Sequence, residues 1–224
     1  MSLTKQQALE LFRSDDLIGI GMEADQVRRK LSDENAMRAP AMKIYLAGPD
    51  VFLPDALEVG KRKREICARH GLRGLFPLDN TVDLSAERHS MAIFRGCEAM
   101  MDAADAVIAN LTPFRGPGAD PGTAYELGYM AARGKLCLGY SNDPAHYAAR
   151  VRRSGVVNMR DGRLVDADGL SVEDFGMADN LMLIHALDLH GCPLVVPKQA
   201  PADLWHDLTV FEFCVRKAAE QLVP

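Results

Sequence analysis

From Lys43 to the C-terminus, short apolar runs alternate with longer stretches in which apolar residues recur every three or four positions. The short runs, at residues 43–47, 73–76, 105–109, 136–140 and 193–196, read as strands, and the periodic stretches at 54–70, 86–102, 121–133 and 202–221 read as helices. Segments 105–109 and 135–139 are apolar at successive positions, as strands covered on both faces are. This alternation predicts an α/β fold, a doubly wound, five-stranded parallel sheet of the flavodoxin or Rossmann-like kind with helices on both faces.

The first forty residues have a different texture. Ala8, Leu9, Leu11 and Phe12, then Ala24, Val27 and Leu31, mark two short amphipathic helices, and Ala39-Pro40 ends the pattern. We therefore expect a helical N-terminal extension over 1–41 and a main domain over 42–224. Within that domain, 141–192 is less regular, with Gly162, Gly169 and Gly176 in polar turns before the apolar Leu181-Met-Leu-Ile184. It reads as a long crossover or lid.

Composition narrows the function. With 224 residues, 48% of them apolar and 25% charged, the chain has material for one packed core. Its 26 basic and 31 acidic residues leave a net charge of −5, which gives no general attraction to nucleic acid or anionic lipid. No apolar run nears the roughly 18 residues of a membrane span, and the opening residues lack the basic-then-apolar order of a secretory signal. A cytoplasmic protein is expected. The five cysteines form no CxxC pair, and His185 and His190, five apart, do not share a helix face, so neither a metal site nor a cofactor is expected.

In such a sheet the ligand lies beyond the carboxyl ends of the strands. The loop after the first strand is Gly48-Pro-Asp-Val-Phe52, where glycine permits a close backbone approach and Phe52 offers an apolar wall. The loop after residues 105–109 runs Asn110-Leu-Thr-Pro-Phe-Arg-Gly-Pro-Gly-Ala119 and enters a helix at Asp120-Pro121, a capping aspartate followed by proline at the first helical position. Ala124, Leu127, Gly128 and Ala131 would form the helix's apolar face, with Glu126 beside it. A carboxylate in this second turn feels the positive end of the helix, which suits a nucleophile. Asp120, six residues earlier, stands about 9 Å away along the axis. An ordinary helix with this spacing would carry Asp120 as a plain cap and Glu126 on its surface. The glycine-rich loop, Arg115 and Tyr45 favour a site, and spacing alone leaves both readings open.

Three segments, Tyr45-Leu-Ala-Gly-Pro-Asp-Val-Phe52, Asp105-Ala-Val-Ile-Ala-Asn-Leu-Thr-Pro-Phe-Arg-Gly116 and Asp120-Pro-Gly-Thr-Ala-Tyr-Glu-Leu-Gly128, resemble the nucleoside 2-deoxyribosyltransferases. Ser154-Gly-Val156, Phe175-Gly176 and Asn180-Leu-Met-Leu183 extend the likeness toward the trypanosomatid-like branch. The resemblance implies that Glu126 attacks the anomeric carbon of a nucleoside and forms a covalent glycosyl intermediate, that Asp120 manages the proton of the departing base, and that Tyr45 orients Glu126. It further implies that Gly48, Asp50, Phe52, Arg115 and Gly122 line the substrate pocket, with Asp50 and Gly48 at its floor. Asn180 and Met182 would reach a neighbouring subunit's site, making the active unit at least a homodimer, although by sequence alone they read as a turn residue and a core methionine. Nucleosides and free nucleobases are the implied partners. Cys97, followed by Glu98, departs from the pattern where many relatives hold the base with Asp or Asn. The N-terminal segment separately resembles the leading part of futalosine-pathway radical-SAM enzymes, without their CxxxCxxC motif.

Three functions compete at this stage: transfer of a (2-deoxy)ribosyl group between bases, hydrolysis of a nucleoside or nucleoside 5′-monophosphate through the same intermediate, and nucleotide binding without turnover.

Overall fold

A computed structural model describes residues 41–80 and 88–222. The chain divides into units 1–41 and 42–224, and the helices expected before residue 41 lie outside the described residues, as does the start of the helix expected from 86.

Four strands, β1 (Lys43–Ala47), β2 (Arg73–Leu75), β3 (Ala106–Asn110) and β4 (Leu136–Tyr140), form a parallel sheet in the order β2-β1-β3-β4. Around it lie α1 (Ala56–Arg69), α2 (His89–Ala103), α3 (Pro121–Ala132), α4 (Tyr147–Ser154), α5 (Leu181–His190) and α6 (Thr209–Leu222). The period-2 alternation of the strands sorts the core into two layers. Ile44, Leu46, Ala106, Ile108, Leu138 and Tyr140 face Ile66 and Cys67 of α1 and Phe211, Cys214 and Val215 of α6. Tyr45, Ala47, Val107, Ala109 and Cys137 face Met101 of α2, Leu127 and Met130 of α3 and Leu187 of α5. The same rule therefore sends Tyr45 toward α3.

The fifth expected strand, at 193–196, is reduced to parallel bridges from Val195 to Tyr140 and from Gly191 to Cys137. Val195 donates its N–H to the Gly139 carbonyl and accepts from Ser141 N, both at 3.0 Å. In a strand, the next backbone groups turned toward β4 would belong to residues 193 and 197, and both are proline, which has no N–H to give. Pairing stops there for that reason.

Two further expectations need correction. The last helix starts at Thr209 rather than near 202, because the Asp203 carboxylate accepts from Trp205 N and His206 N and folds 203–206 into a turn. On α3 the buried positions are Thr123, Leu127, Met130 and Ala131, while Gly128 is exposed. The irregular segment 141–192 contains α4, α5 and an antiparallel hairpin of β5 (Asn158–Arg160) and β6 (Arg163–Val165). No helix among the described residues is long and apolar enough to cross a membrane.

Candidate active site

The chain passes from β1 to β2 on one side and then returns to β3 on the other, so the strand order reverses between β1 and β3. In sheets of this kind the ligand crevice lies at such a switch point, here between the loops after β1 and β3. Tyr45 sits on β1, fully buried, and its hydroxyl donates to Glu126 Oε1 on α3 at 2.5 Å. Burial and the neighbouring Glu126 carboxylate push the Tyr45 hydroxyl far above its usual range, so it stays protonated and remains a donor. Burial, helped by the charge of Asp120, lifts the Glu126 carboxyl to about 7 against the lowering effect of the Tyr45 hydrogen bond.

Asp120 caps α3. Its Oδ2 accepts from Thr123 N at 2.8 Å and from Thr123 Oγ1 at 3.1 Å, and Pro121 supplies the first helical position. Among the described residues its Oδ1 has no hydrogen-bond partner. At the other end of α3, Gly134 adopts φ 66° and Lys135 N closes back on Met130 O, which fixes the helix length. Gly122 is exposed in the first turn, and a Cβ there would stand 3.0 Å from the Asp120 carboxylate. Cys97, on α2, is a neighbour of the Tyr45–Glu126 pair, and burial pushes its thiol up.

Asp50 lies beneath the crevice floor rather than on its surface. It is 1% exposed and its Oδ2 is 2.7 Å from Lys63 Nζ on α1, while Asn110 Nδ2 reaches both carboxylate oxygens at 3.2 Å. Lys63 is also fully buried, with its ammonium near the Tyr140 and Phe211 rings. The network joins the carboxyl ends of β1 and β3. A side chain at Gly48 would strike the Asp50 carboxylate and come within 2.8 Å of Asn110 Cβ, so only glycine fits there.

Phe52, 56% exposed, stacks on Phe114 with centroids 5.2 Å apart, and Phe114 meets Trp205 edge-on at 6.2 Å. The Arg115 guanidinium lies over both phenylalanine rings. Downstream, Asp179 ties the loop before α3 to the start of α5. It accepts from Ala119 N and Asn180 N and pairs with buried Arg150 at 2.9 Å. Asn180 caps α5, its Oδ1 accepting from Met182 N and its Nδ2 donating to Glu173. Met182 is 70% exposed and so is not a core residue of this chain.

The structure thus brings Tyr45, Glu126 and Asp120 to one crevice and gathers Phe52 and Arg115 beside each other. Sequence reasoning passed over Asn110, Lys63, Phe114 and Trp205. Asn110 and Phe114 stood inside the quoted loop, and Trp205 is the sole tryptophan of the chain, whereas nothing in the sequence marks Lys63. A separate recess between α1 and α6, lined by Arg62, Arg69, Val195, Lys198 and Phe213, contains none of these residues. Among the described residues no cluster of His, Cys, Asp or Glu is placed to hold a metal ion.

A parallel sheet with a reversal of strand order defines an α/β protein with its ligand site at that reversal, and comparison with known proteins identifies the family. The family model for nucleoside 2-deoxyribosyltransferase matches residues 44–182, so the chain belongs to that family. It is 36% identical over 155 residues to an uncharacterized protein of Schizosaccharomyces pombe, covering 62% of this chain and 74% of that one. Among solved structures, a 2-desoxiribosyltransferase from Leishmania mexicana is similar, with a TM-score of 0.56 and 33% identity over 81% of this chain and 99% of that one. A conserved protein from Enterococcus faecalis, with a TM-score of 0.50, 19% identity and coverage of 80% and 99%, shares the fold. Family and structural likeness together support a deoxyribosyltransferase-like enzyme acting on nucleosides.

Proposed function

We propose that the protein transfers a 2-deoxyribosyl group from one nucleobase to another by double displacement. The observation that carries this reading is the 2.5 Å hydrogen bond from a buried tyrosine to Glu126, beside a helix cap where Asp120 has, among the described residues, one oxygen without a partner. A Glu126 oxygen attacks the anomeric carbon as the bond to the base breaks. The electron pair of that bond passes to the base nitrogen, and a proton delivered through Asp120 lets the base leave neutral. A second base then attacks the glycosyl ester from the vacated side, giving its ring proton back through Asp120 and restoring the Glu126 carboxylate and the original configuration. Tyr45 aims the nucleophile. Gly122, exposed in the first turn, lets substrate approach the backbone, Phe52 stacks on the base and Arg115 borders it, while Gly48 and Asp50 act from below by packing and holding both loops.

The same reading makes the active unit a homodimer in which Asn180 and Met182 complete the neighbour's site. Ile93 and Phe94 of α2, Tyr125 of α3, and Met182 and Leu189 of α5 leave exposed apolar surface on the helical layer that also carries Glu126, which supports such an interface. Five free thiols suit a reducing compartment, the cytoplasm.

Supplying a 2′-deoxynucleoside with a different free base tests the reading. A new nucleoside is the expected product, whereas free sugar alone would make the protein an N-glycosidase. Mechanism-based trapping with a 2-fluoro-sugar nucleoside should place the label on Glu126, and a label on any other residue would refute the assignment.

A further inference from the structure

Arg115 occupies an unusual position. Its backbone adopts φ 54°, a left-handed conformation that residues with a Cβ seldom take. Phe114 N closes the turn onto Gly118 O at 3.0 Å, and Asp179 holds the next residue, Ala119. The guanidinium stands 5.2 Å from the Phe52 ring centre and 4.6 Å from that of Phe114, and among the described residues no carboxylate pairs with it. Phe52 leans on Phe114, which is supported in turn. Phe114 packs against Trp205, whose loop is pinned where Asn142 Nδ2 donates to the carbonyls of Leu204 and Asp207. The result is an exposed ring with a fork of N–H groups 5.2 Å from its centre, carried on a backbone turn that is itself held.

A base stacked on Phe52 brings its rim within reach of that fork. A guanidinium has five N–H donors and no acceptor, so it can satisfy a carbonyl oxygen or a ring nitrogen lone pair but not an amino group. An amino group at that rim would face donor against donor, so the contact that a carbonyl makes is lost. We propose that Arg115 selects the base by its hydrogen-bonding rim, favouring bases that present a carbonyl there, such as hypoxanthine and uracil, over their amino counterparts adenine and cytosine. The proposal rests on the transfer reading above and adds the chemical class of base it serves.

Trp205 makes the test independent of turnover, because it is the chain's sole tryptophan and abuts the Phe52–Phe114 pair. Titrating hypoxanthine and adenine into the full chain, with Trp205 emission as readout, should show hypoxanthine binding about tenfold more tightly, the size of one well-made guanidinium contact to a base. Arg115→Met, which keeps the stem and loses the donors, should bring the two to within about twofold, and Arg115→Lys should keep part of the preference. The ratio of kcat/KM for the same two acceptors in the exchange assay should follow. Equal binding in the parent, or a preference that survives Arg115→Met, overturns the proposal. A preserved binding order with no exchange on any base would leave base selection standing and remove the transferase reading instead.

Discussion

Glu126 works against its surroundings: burial raises its carboxyl to about 7 although a nucleophile must be ionised. Activity should therefore climb through that pH as the carboxylate forms, and a kcat/KM profile flat from pH 5.5 to 8.5 would contradict the role. Tyr45→Phe keeps the ring and removes the one hydrogen bond that lowers this pKa. The acidic limb should move to higher pH and kcat should fall about ten- to hundredfold, the worth of a hydrogen bond to a charged group. The linkage to stability has the opposite sense to that of an ordinary ion-paired carboxylate. Because the folded protein holds this proton more tightly than the unfolded chain, Glu126 favours folding fully below its unfolded value, and that contribution is lost as pH rises through about 7. Glu126→Gln should thus abolish exchange while raising the melting temperature at pH 8, and a lower melting temperature there would show that the carboxylate is not strained by burial.

Two buried ion pairs act at the level of elements. Asp50–Lys63 joins the loop after β1 to α1 and, through Asn110, to β3, and Asp179–Arg150 joins α4 to the loop before α3. Removing one member leaves a buried charge alone, which costs about 3–5 kcal/mol, more than the pair itself contributes. Asp50→Ala should destabilise by that amount in urea unfolding, and a companion Lys63→Met change should recover much of the loss. If the double variant is no more stable than Asp50→Ala, the two side chains do not act as a pair. Asp179→Ala should also loosen the segment 111–120, seen as faster amide exchange at Ala119, whose N–H loses its acceptor.

For the whole molecule the question is whether one chain makes a complete site. If Asn180 serves the neighbour's crevice, Glu126→Ala and Asn180→Ala are each inactive alone but complementary. Their mixed dimer holds one crevice with both residues intact. Mixing the two equally and allowing exchange of subunits should restore about a quarter of parental activity, the statistical share of intact sites in a dimer. No recovery from subunits shown to have exchanged would confine Asn180 to the capping role it plays within its own chain.

The sequence by itself determined the layered fold, because period-2 and period-3.6 patterns are local and survive reading one residue at a time. It determined the Asp120-Pro121 start of α3 for the same reason, and through its ordered motifs it pointed to Tyr45 and Glu126. It did not determine the end of the sheet, where prolines at 193 and 197 cut a strand-like run to a bridge against β4. Nor did it place Asp50 under the floor, since whether a carboxylate lines a cavity or is sealed beneath it depends on Lys63, thirteen residues away on α1. The meeting of Phe52, Phe114, Arg115 and Trp205 was likewise out of its reach. These residues come from three loops that only the parallel sheet, ending all its strands on one edge, brings together.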